Sequence, residues 1–264
     1  MRIASLYRYP VKGLSPERLT SAPLEANAYF PGDRLFAIEN GPSGFDPAEP
    51  VHQPKIKYLM LMRHEALATL RTRFDDTSGD LVIARDGEEV LRANTVTTEG
   101  QGAISAFFEA FMPQALRGQP RLLRAPESYR FTDSRSGFVS LINLASVADL
   151  EKRIGSAVDP LRFRGNIMVE GLEPWAELAL VGSQLAAASG VRLEVIKRIE
   201  RCAATNVDPQ TGARDLQLPK ALMTAFGHVD CGIYCRIIAG GRLAEGERLD
   251  VVETPAAPAG LGIA

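Results

Sequence analysis

The chain of 264 residues is long enough for one large domain or two modest ones, and its 45% hydrophobic and 23% charged residues exclude a disordered or fibrous protein. A formal net charge of −2 excludes a broad electrostatic footprint for DNA or RNA, while leaving room for a local basic pocket around one anionic ligand. No apolar run is long enough to span a bilayer, MRIASLYRYPVKG lacks the apolar core of a secretory signal, and three cysteines make no disulfide framework. The expectation is a cytoplasmic protein with reduced thiols and no nucleic-acid or membrane partner.

In chain order, the first half reads mostly as strands. Arg2 to Tyr9, Leu35 to Glu39 and Tyr58 to Arg63 are followed by Leu81 to Arg85 and Glu88 to Arg92, which Asp86-Gly87 joins as a hairpin. Glu65 to Phe74 places Ala66, Leu67, Leu70 and Phe74 at helical spacing, and Ala103 to Met112 does the same with Ile104, Phe107, Phe108 and Phe111. Pro113 and the polar stretch Leu116 to Pro120 then interrupt the pattern and predict a boundary, giving units 1–116 and 117–253. The second unit continues with a strand at Pro120 to Ala125 and a helix capped by Ser146 that carries Val147, Leu150 and Ile154. Further strands are predicted at Ile167 to Glu170, Gln184 to Ala188, Val191 to Ile196, Gly232 to Ile238 and Leu249 to Val252. That number and spacing indicate a mixed, β-rich α+β protein of barrel-like sheets with a few covering helices. The 254–264 tail, all Pro, Ala and Gly with little else, reads as disordered.

Chemistry concentrates after the Val191 to Ile196 strand, in Arg201-Cys202-Ala203-Ala204-Thr205-Asn206-Val207-Asp208-Pro209. A cysteine at a strand exit can face a cleft, and the flanking Arg198 and Arg201 favour thiolate, the form that attacks or binds a soft metal; a buried structural cysteine is the alternative. Arg162-Phe163-Arg164-Gly165-Asn166 precedes an apolar strand with two guanidinium forks able to grip phosphate, or to stand solvated. Lys12 beside the Gly13 turn and Arg34 in Gly32-Asp33-Arg34 are two further cations. Cys231 and Cys235, at a spacing that puts both on one face of a strand, read as packing residues, because His52, His64 and His228 complete no zinc motif. Asp208 and His228 are proton-donor candidates by proximity in the chain alone.

Together these pieces resemble one family, the MOSC proteins with an N-terminal barrel domain, which include the mitochondrial amidoxime-reducing component and its bacterial relatives. The landmarks, in order from Arg2 to about Val252, are YPVKG at Tyr9 to Gly13, GDR at Gly32 to Arg34, FTDS at Phe131 to Ser134 and SLINLASVADL at Ser140 to Leu150. RFRGNI at Arg162 to Ile167, RCAATNVDPQTG at Arg201 to Gly212 and GHVDCGIY at Gly227 to Tyr234 complete the set.

The resemblance implies an N-terminal β-barrel domain ahead of a MOSC β-barrel domain. It implies a molybdenum cofactor, molybdopterin with its metal, ligated by Cys202. It places Lys12, Arg34, Arg164 and Arg201 around the pterin and its phosphate, with Asp133, Ser136, Asn166 and Tyr234 lining the pocket. It further implies an oxidoreductase acting on small N-hydroxylated substrates such as amidoximes and hydroxylamines. A family-level association with pyridoxal phosphate comes with it. Gly13 stands where the amidoxime reducers carry serine, and Gly165 where proline is often found. No cysteines for an appended iron–sulfur domain follow, so electrons are expected from a separate protein, a ferredoxin or a cytochrome b5-like protein with a flavin reductase. A non-enzymatic cofactor carrier or sulfur relay built on Cys202 is the alternative.

Overall fold

A computed structural model describes residues 1–134 and 139–253, so Ser136 and the 254–264 tail lie outside the described residues. The first half supplies β1 (Arg2–Arg8), β2 (Glu17–Leu19), β3 (Ser21–Leu24), β4 (Phe36–Asn40), β5 (Leu70–Phe74), β6 (Asp80–Arg85), β7 (Glu88–Asn94) and helix α1 (Thr98–Phe111). After β8 (Pro120–Arg124) come β9 (Val139–Asn143), α2 (Leu144–Ile154), β10 (Ile167–Glu170), β11 (Gln184–Ala187) and β12 (Arg192–Glu200). Helix α3 (Leu218–Phe226), β13 (Asp230–Ala239), β14 (Gly241–Ala244) and β15 (Leu249–Glu253) follow.

The largest sheet runs β15-β11-β12-β13-β9-β10-β1-β2. Its ends curl towards each other: Ile3 N–H donates to Glu247 O (2.9 Å), Gly246 N–H to Ile3 O (2.8 Å) and Leu249 N–H to Met1 O (3.0 Å), which closes the sheet back on β1 in the manner of a barrel. Inside lie Ile3, Leu6, Val139, Leu141, Ile167, Leu193, Ile233 and Leu249, all buried. The opposite face carries Ile142, Met168 and Cys231 under α2 and α3. A second core, around Phe36, Leu59, Leu67, Phe74, Ile83, Ile104 and Phe108, is enclosed by the β5-β6-β7 sheet, the β4-β8 pair and α1. The expected β-rich α+β architecture is therefore the observed one.

The two units interlock. β1 belongs to the large sheet, yet the chain beyond it steps straight into the other unit, where Phe36 N–H donates to Pro10 O (2.9 Å) and Lys12 N–H to Phe36 O (2.8 Å). β8, which begins beyond residue 116, pairs antiparallel with β4 from Phe36↔Arg124 to Asn40↔Pro120.

Several local expectations are corrected. Glu65–Thr69 forms only a short 3₁₀ turn, and Leu70–Phe74 is strand β5: Leu67, Leu70 and Phe74 suit a helical face, but Leu70, Thr72 and Phe74 also alternate, and pairing with β6 decides between the two. Tyr58 to Arg63 is no strand. Tyr58 makes one bridge to Glu39, and a turn follows in which Arg63 and His64 both donate to Met60 O, while His64 Nδ1 accepts from Met60 N–H (3.0 Å). Helix α2 is capped by Asn143, whose side chain accepts from Ala145 N–H (3.1 Å); Ser146 is the third residue inside the helix, its hydroxyl donating to buried Glu177.

Cys231 and Cys235 are both buried but on opposite faces, one in the core under α2 and α3 and the other inside the curled sheet. Gly232 is the cause. At φ 86° it breaks the alternation of β13, and a Cβ there would lie 2.5 Å from Leu141 O and 2.6 Å from Ile142 Cδ1. Gly232→Ala is therefore expected to lower unfolding free energy by about 2–4 kcal/mol in urea titration.

Candidate functional site

Where the interlocked units meet, the end of β12, Ser140 of β9, Tyr234 of β13 and the connecting segments around residues 12–13, 33–34, 60–62, 131–134, 162–166 and 201–205 enclose a cleft of about 480 Å³. Its described lining holds eight Lys or Arg side chains against three carboxylates, in a chain whose net charge is −2. Lys12, Arg34, Asp133, Arg164, Asn166, Arg201, Cys202 and Tyr234 all lie on its wall.

The cations are held by different means. Lys12, at the exit of β1, is buried and donates to Phe131 O (3.0 Å) and to Asp133. Burial lowers its pKa, and Asp133 only partly offsets this. Arg34 sits at φ 47°, in the left-handed region that non-glycine residues seldom enter. Its Nη1 donates to both oxygens of Asp33 (2.6 and 2.5 Å) and its Nη2 to Arg164 O (3.0 Å). Burial alone would lower its pKa, and Asp33 outweighs that.

Arg164 closes the Pro160–Phe163 turn, also left-handed at φ 52°. Its Nη1 donates to Leu14 O (2.9 Å), but its Nη2 is buried without a hydrogen-bond partner. Burial and then Arg34 push its pKa down to about 10, only partly offset by Tyr9, Asp33 and Asp133; the guanidinium keeps its proton near neutrality. Arg34 and Arg164 both lie against the ring of fully buried Tyr9, their guanidinium carbons 4.4 and 4.3 Å from its centroid. Arg201 donates through Nε and Nη2 to Cys231 O and through Nη1 to Phe163 O (2.8 Å), and burial lowers its pKa as well. Among the described residues neither Arg164 nor Arg201 has a carboxylate partner.

Cys202 leaves β12 just before the Ala203–Asn206 turn, its carbonyl accepting from Thr205 N–H (3.0 Å) and Oγ1 (2.9 Å). It is the half-buried cysteine of the three; burial of Cys231 and Cys235 pushes both thiols up to about 12. Asn166 spends its amide inside the fold, accepting from Ser140 N–H (3.0 Å) and Oγ (2.9 Å) and donating to Tyr7 O (3.2 Å), so it shapes the wall. Tyr234 meets Lys197 Nζ 5.7 Å from its ring centre.

Three sequence expectations change. Arg162 does not offer its fork to a ligand: it donates to Asn206 O (3.2 Å), Asp208 (2.9 Å) and Asp215 (2.8 Å), bracing the loop behind Cys202. Asp208 is consumed by that contact and by the backbone of Gln210 and Thr211, and it lies off the cleft wall. His228 accepts from Asp230 N–H (3.1 Å) and packs with Trp175 and Phe226, away from the cleft. Tyr9 and Asp33, which organise the arginines, carry no signal of their own in the sequence beyond their places in YPVKG and GDR.

Charge and topology define a protein with a cationic cleft, one thiol on its wall, between two β-rich units. Residues 1–112 match the family model of the MOSC N-terminal beta barrel domain, and residues 128–250 match that of the MOSC domain. The chain belongs to the MOSC family and carries the family's N-terminal barrel domain. It is 28% identical over 233 residues to the molybdenum cofactor sulfurase of Caenorhabditis elegans, covering 83% of this chain and 31% of that one; it thus spans about a third of that relative's length. It is 29% identical over 258 residues to human mitochondrial amidoxime-reducing component 1, covering 86% of this chain and 72% of the relative. Among solved structures, the YuaD protein of Bacillus subtilis aligns with a TM-score of 0.44 at 12% identity, over 94% of this chain and 93% of that one.

The Lys12–Asp133 pair carries a pH signature. Burial would raise the Asp133 carboxyl, but Lys12 outweighs it and holds its pKa below the usual range. The contribution is therefore present above about pH 4, the ordinary aspartate value, and is lost as pH falls through the lower folded value. Asp133 is half exposed, which limits the contribution to about 1 kcal/mol or less. Asp133→Asn should be the less stable protein at neutral pH and should converge with wild type on acidification, as followed by thermal unfolding at stepped pH.

Proposed function

We propose that this cleft binds the molybdenum cofactor, with Cys202 as protein ligand to the metal, and that the protein reduces small N-hydroxylated substrates with electrons from a separate donor protein. The observation that carries the proposal is the pair of cations without carboxylates, Arg164 with its buried, unpartnered Nη2 and Arg201 held only by carbonyls. An anionic group such as the pterin phosphate relieves both. Among the described residues no three His, Cys, Asp or Glu side chains are grouped to hold a bare metal ion, so a metal at Cys202 needs ligands carried in with it. A thiolate suits a metal already held by sulfur. One relative is named for the molybdenum cofactor and another for amidoxime reduction, in agreement with this assignment.

Lys12, Arg34, Arg164 and Arg201 would hold the phosphate and pterin, Asp133 and Tyr234 would complete the wall, and Ser136 is assigned with them. The cofactor, when bound, would supply the two electrons and take up the oxygen released by the substrate. The chain's own part is to anchor it, to fix the thiol at the cleft wall and to keep water from the buried end. We take 1–116 and 117–253 as the functional units, with β8 returning to pair in the first. No described helix is long and apolar enough to cross a membrane, and a cytoplasmic setting is proposed on the cysteine content.

Protein made in a host that synthesises the cofactor should contain molybdenum near one atom per chain, and Cys202→Ala should lose most of it by metal analysis; full retention would overturn the ligand assignment. Without cofactor, inorganic phosphate should stabilise the wild type, by about 1.4 kcal/mol at ten times its Kd. Arg164→Met should remove that increment in thermal shift. The likeness to a cofactor sulfurase favours a second reading, cofactor or sulfur binding without turnover, which predicts the same metal content but no sustained reduction of benzamidoxime by an artificial reductant.

A further inference from the structure

Arg214 lies outside the sequence landmarks and off the cleft wall, yet it connects both sides of the cleft. Its backbone bridges Val207, and Asp208 N–H donates to Ala213 O (2.7 Å), so the loop that starts directly after Cys202 is closed upon itself at Arg214. The guanidinium then crosses to the other unit. Nη2 donates to Leu61 O (3.1 Å) and Met62 O (2.8 Å), and it lies 3.1 Å from Glu65 Oε2. A second crossing runs beside it, from Arg71 Nη2 to Gln210 O and Oε1, both 2.9 Å. Gly212, at φ 75°, approaches so closely that a Cβ would stand 3.0 Å from Glu65 O.

What these contacts fix is a wall. Met60, Leu61 and Met62 line the same cleft as Cys202 and are its apolar portion nearest the crossing contacts, whereas the cation anchors come from other elements. Two thioethers and a leucine make an adaptable surface for hydrocarbon and offer no charge to an anion. The carbonyls that Arg214 holds belong to this segment, and the loop that Arg214 closes begins at Cys202. Arg214 is therefore the side chain that ties the wall directly to the Cys202 loop, with the Arg71–Gln210 contact beside it.

We propose that Arg214 is a positioning residue that fixes the width of a slot between Cys202 and the Met60–Met62 wall, and that this slot takes the apolar body of the small-molecule substrate. The identity of the occupant rests on the reductase reading above; the width of the slot does not. A bulky apolar group then enters the slot only as far as the Arg214 contacts allow.

The test uses full-length protein made without cofactor, because Cys231 and Cys235 are fully buried and leave Cys202 as the reporter thiol. Alkylation by iodoacetamide is compared with alkylation by N-(1-pyrenyl)maleimide. In Arg214→Ala the pyrenyl reagent should react about three- to tenfold faster while the small reagent changes by about twofold or less, the loss of a few partly exposed charge-assisted bonds. Arg214→Lys, which keeps the charge but not the fork, should fall between, and Glu65→Gln should move the ratio the same way by less. An equal rise with both reagents, an unchanged ratio in all three variants, or labelling of Cys231 and Cys235 at the same rate overturns the proposal. Should Arg214→Ala fail to fold, the Lys and Gln variants decide. In molybdenum-loaded protein the ratio of kcat/KM for bulky over small N-hydroxylated substrates should shift in the same variants. No turnover by any of them counts against the reductase reading, and the thiol ratio still decides the slot.

Discussion

Two arginines against one buried tyrosine ring are the constraint around which the cleft is arranged. Tyr9 is fully buried at the point where the chain passes from one unit to the other, and Arg34 and Arg164 reach it from different units, joined by the Arg34 Nη2 to Arg164 O bond of 3.0 Å. Both arginines hold left-handed backbone conformations, each costing of order 1 kcal/mol or more for a residue with a Cβ. Such strain persists only where surrounding contacts over-determine it. Here Asp33 does so, accepting from Tyr9 N–H (2.8 Å) and from Arg34 at once. Tyr9, Asp33, Arg34 and Arg164 therefore stand or fall together, and the interlocked units cannot be separated without breaking the set.

The same arrangement explains why the cleft carries excess positive charge. Lys12 and Arg34 have carboxylates to neutralise them, whereas Arg164 and Arg201 have carbonyls. Burying a cation on carbonyl bonds alone is unfavourable, a cost that a bound anion would offset. Gly232 makes it possible for Arg201: at that position a Cβ would stand 3.2 Å from Arg201 Nη2 and closer still to Leu141 O. One glycine thus shapes the sheet and opens room for a guanidinium.

Much of this was legible in the sequence, and the failures have physical causes. The hairpin at Asp86-Gly87, the α1 face of Ile104 and Phe108 and six strands of the large sheet follow from local pattern, whereas short β2 and the central β9, Val139–Asn143, take their strand form from their neighbours in the sheet. Leu67 to Phe74 fails because two periodicities fit the same residues and a partner strand selects one. Ser146 and Asn143 are equally good caps by type; burial of Glu177 draws the serine inward. For the site, the family motifs put eight residues onto one wall, something no spacing rule could do. What they do not reveal is which arginines are spent. Arg162 and Arg164 are two apart in one motif, yet only the first meets Asp208 and Asp215, because the left-handed turn at Arg164 sends it the other way.

That division also separates rigid from yielding parts of the loop behind Cys202. Arg162 braces it from within, its side chain 2% exposed and bonded to two carboxylates and a carbonyl. Arg214 braces it from across the units, with 34% of its side chain exposed and a partner, Glu65, more exposed still. Breaking the first would strand a buried cation, whereas water can replace the second at small cost. The crossing contacts are therefore the weaker of the two braces, and Arg162 is the one that holds the Cys202 loop within its own unit.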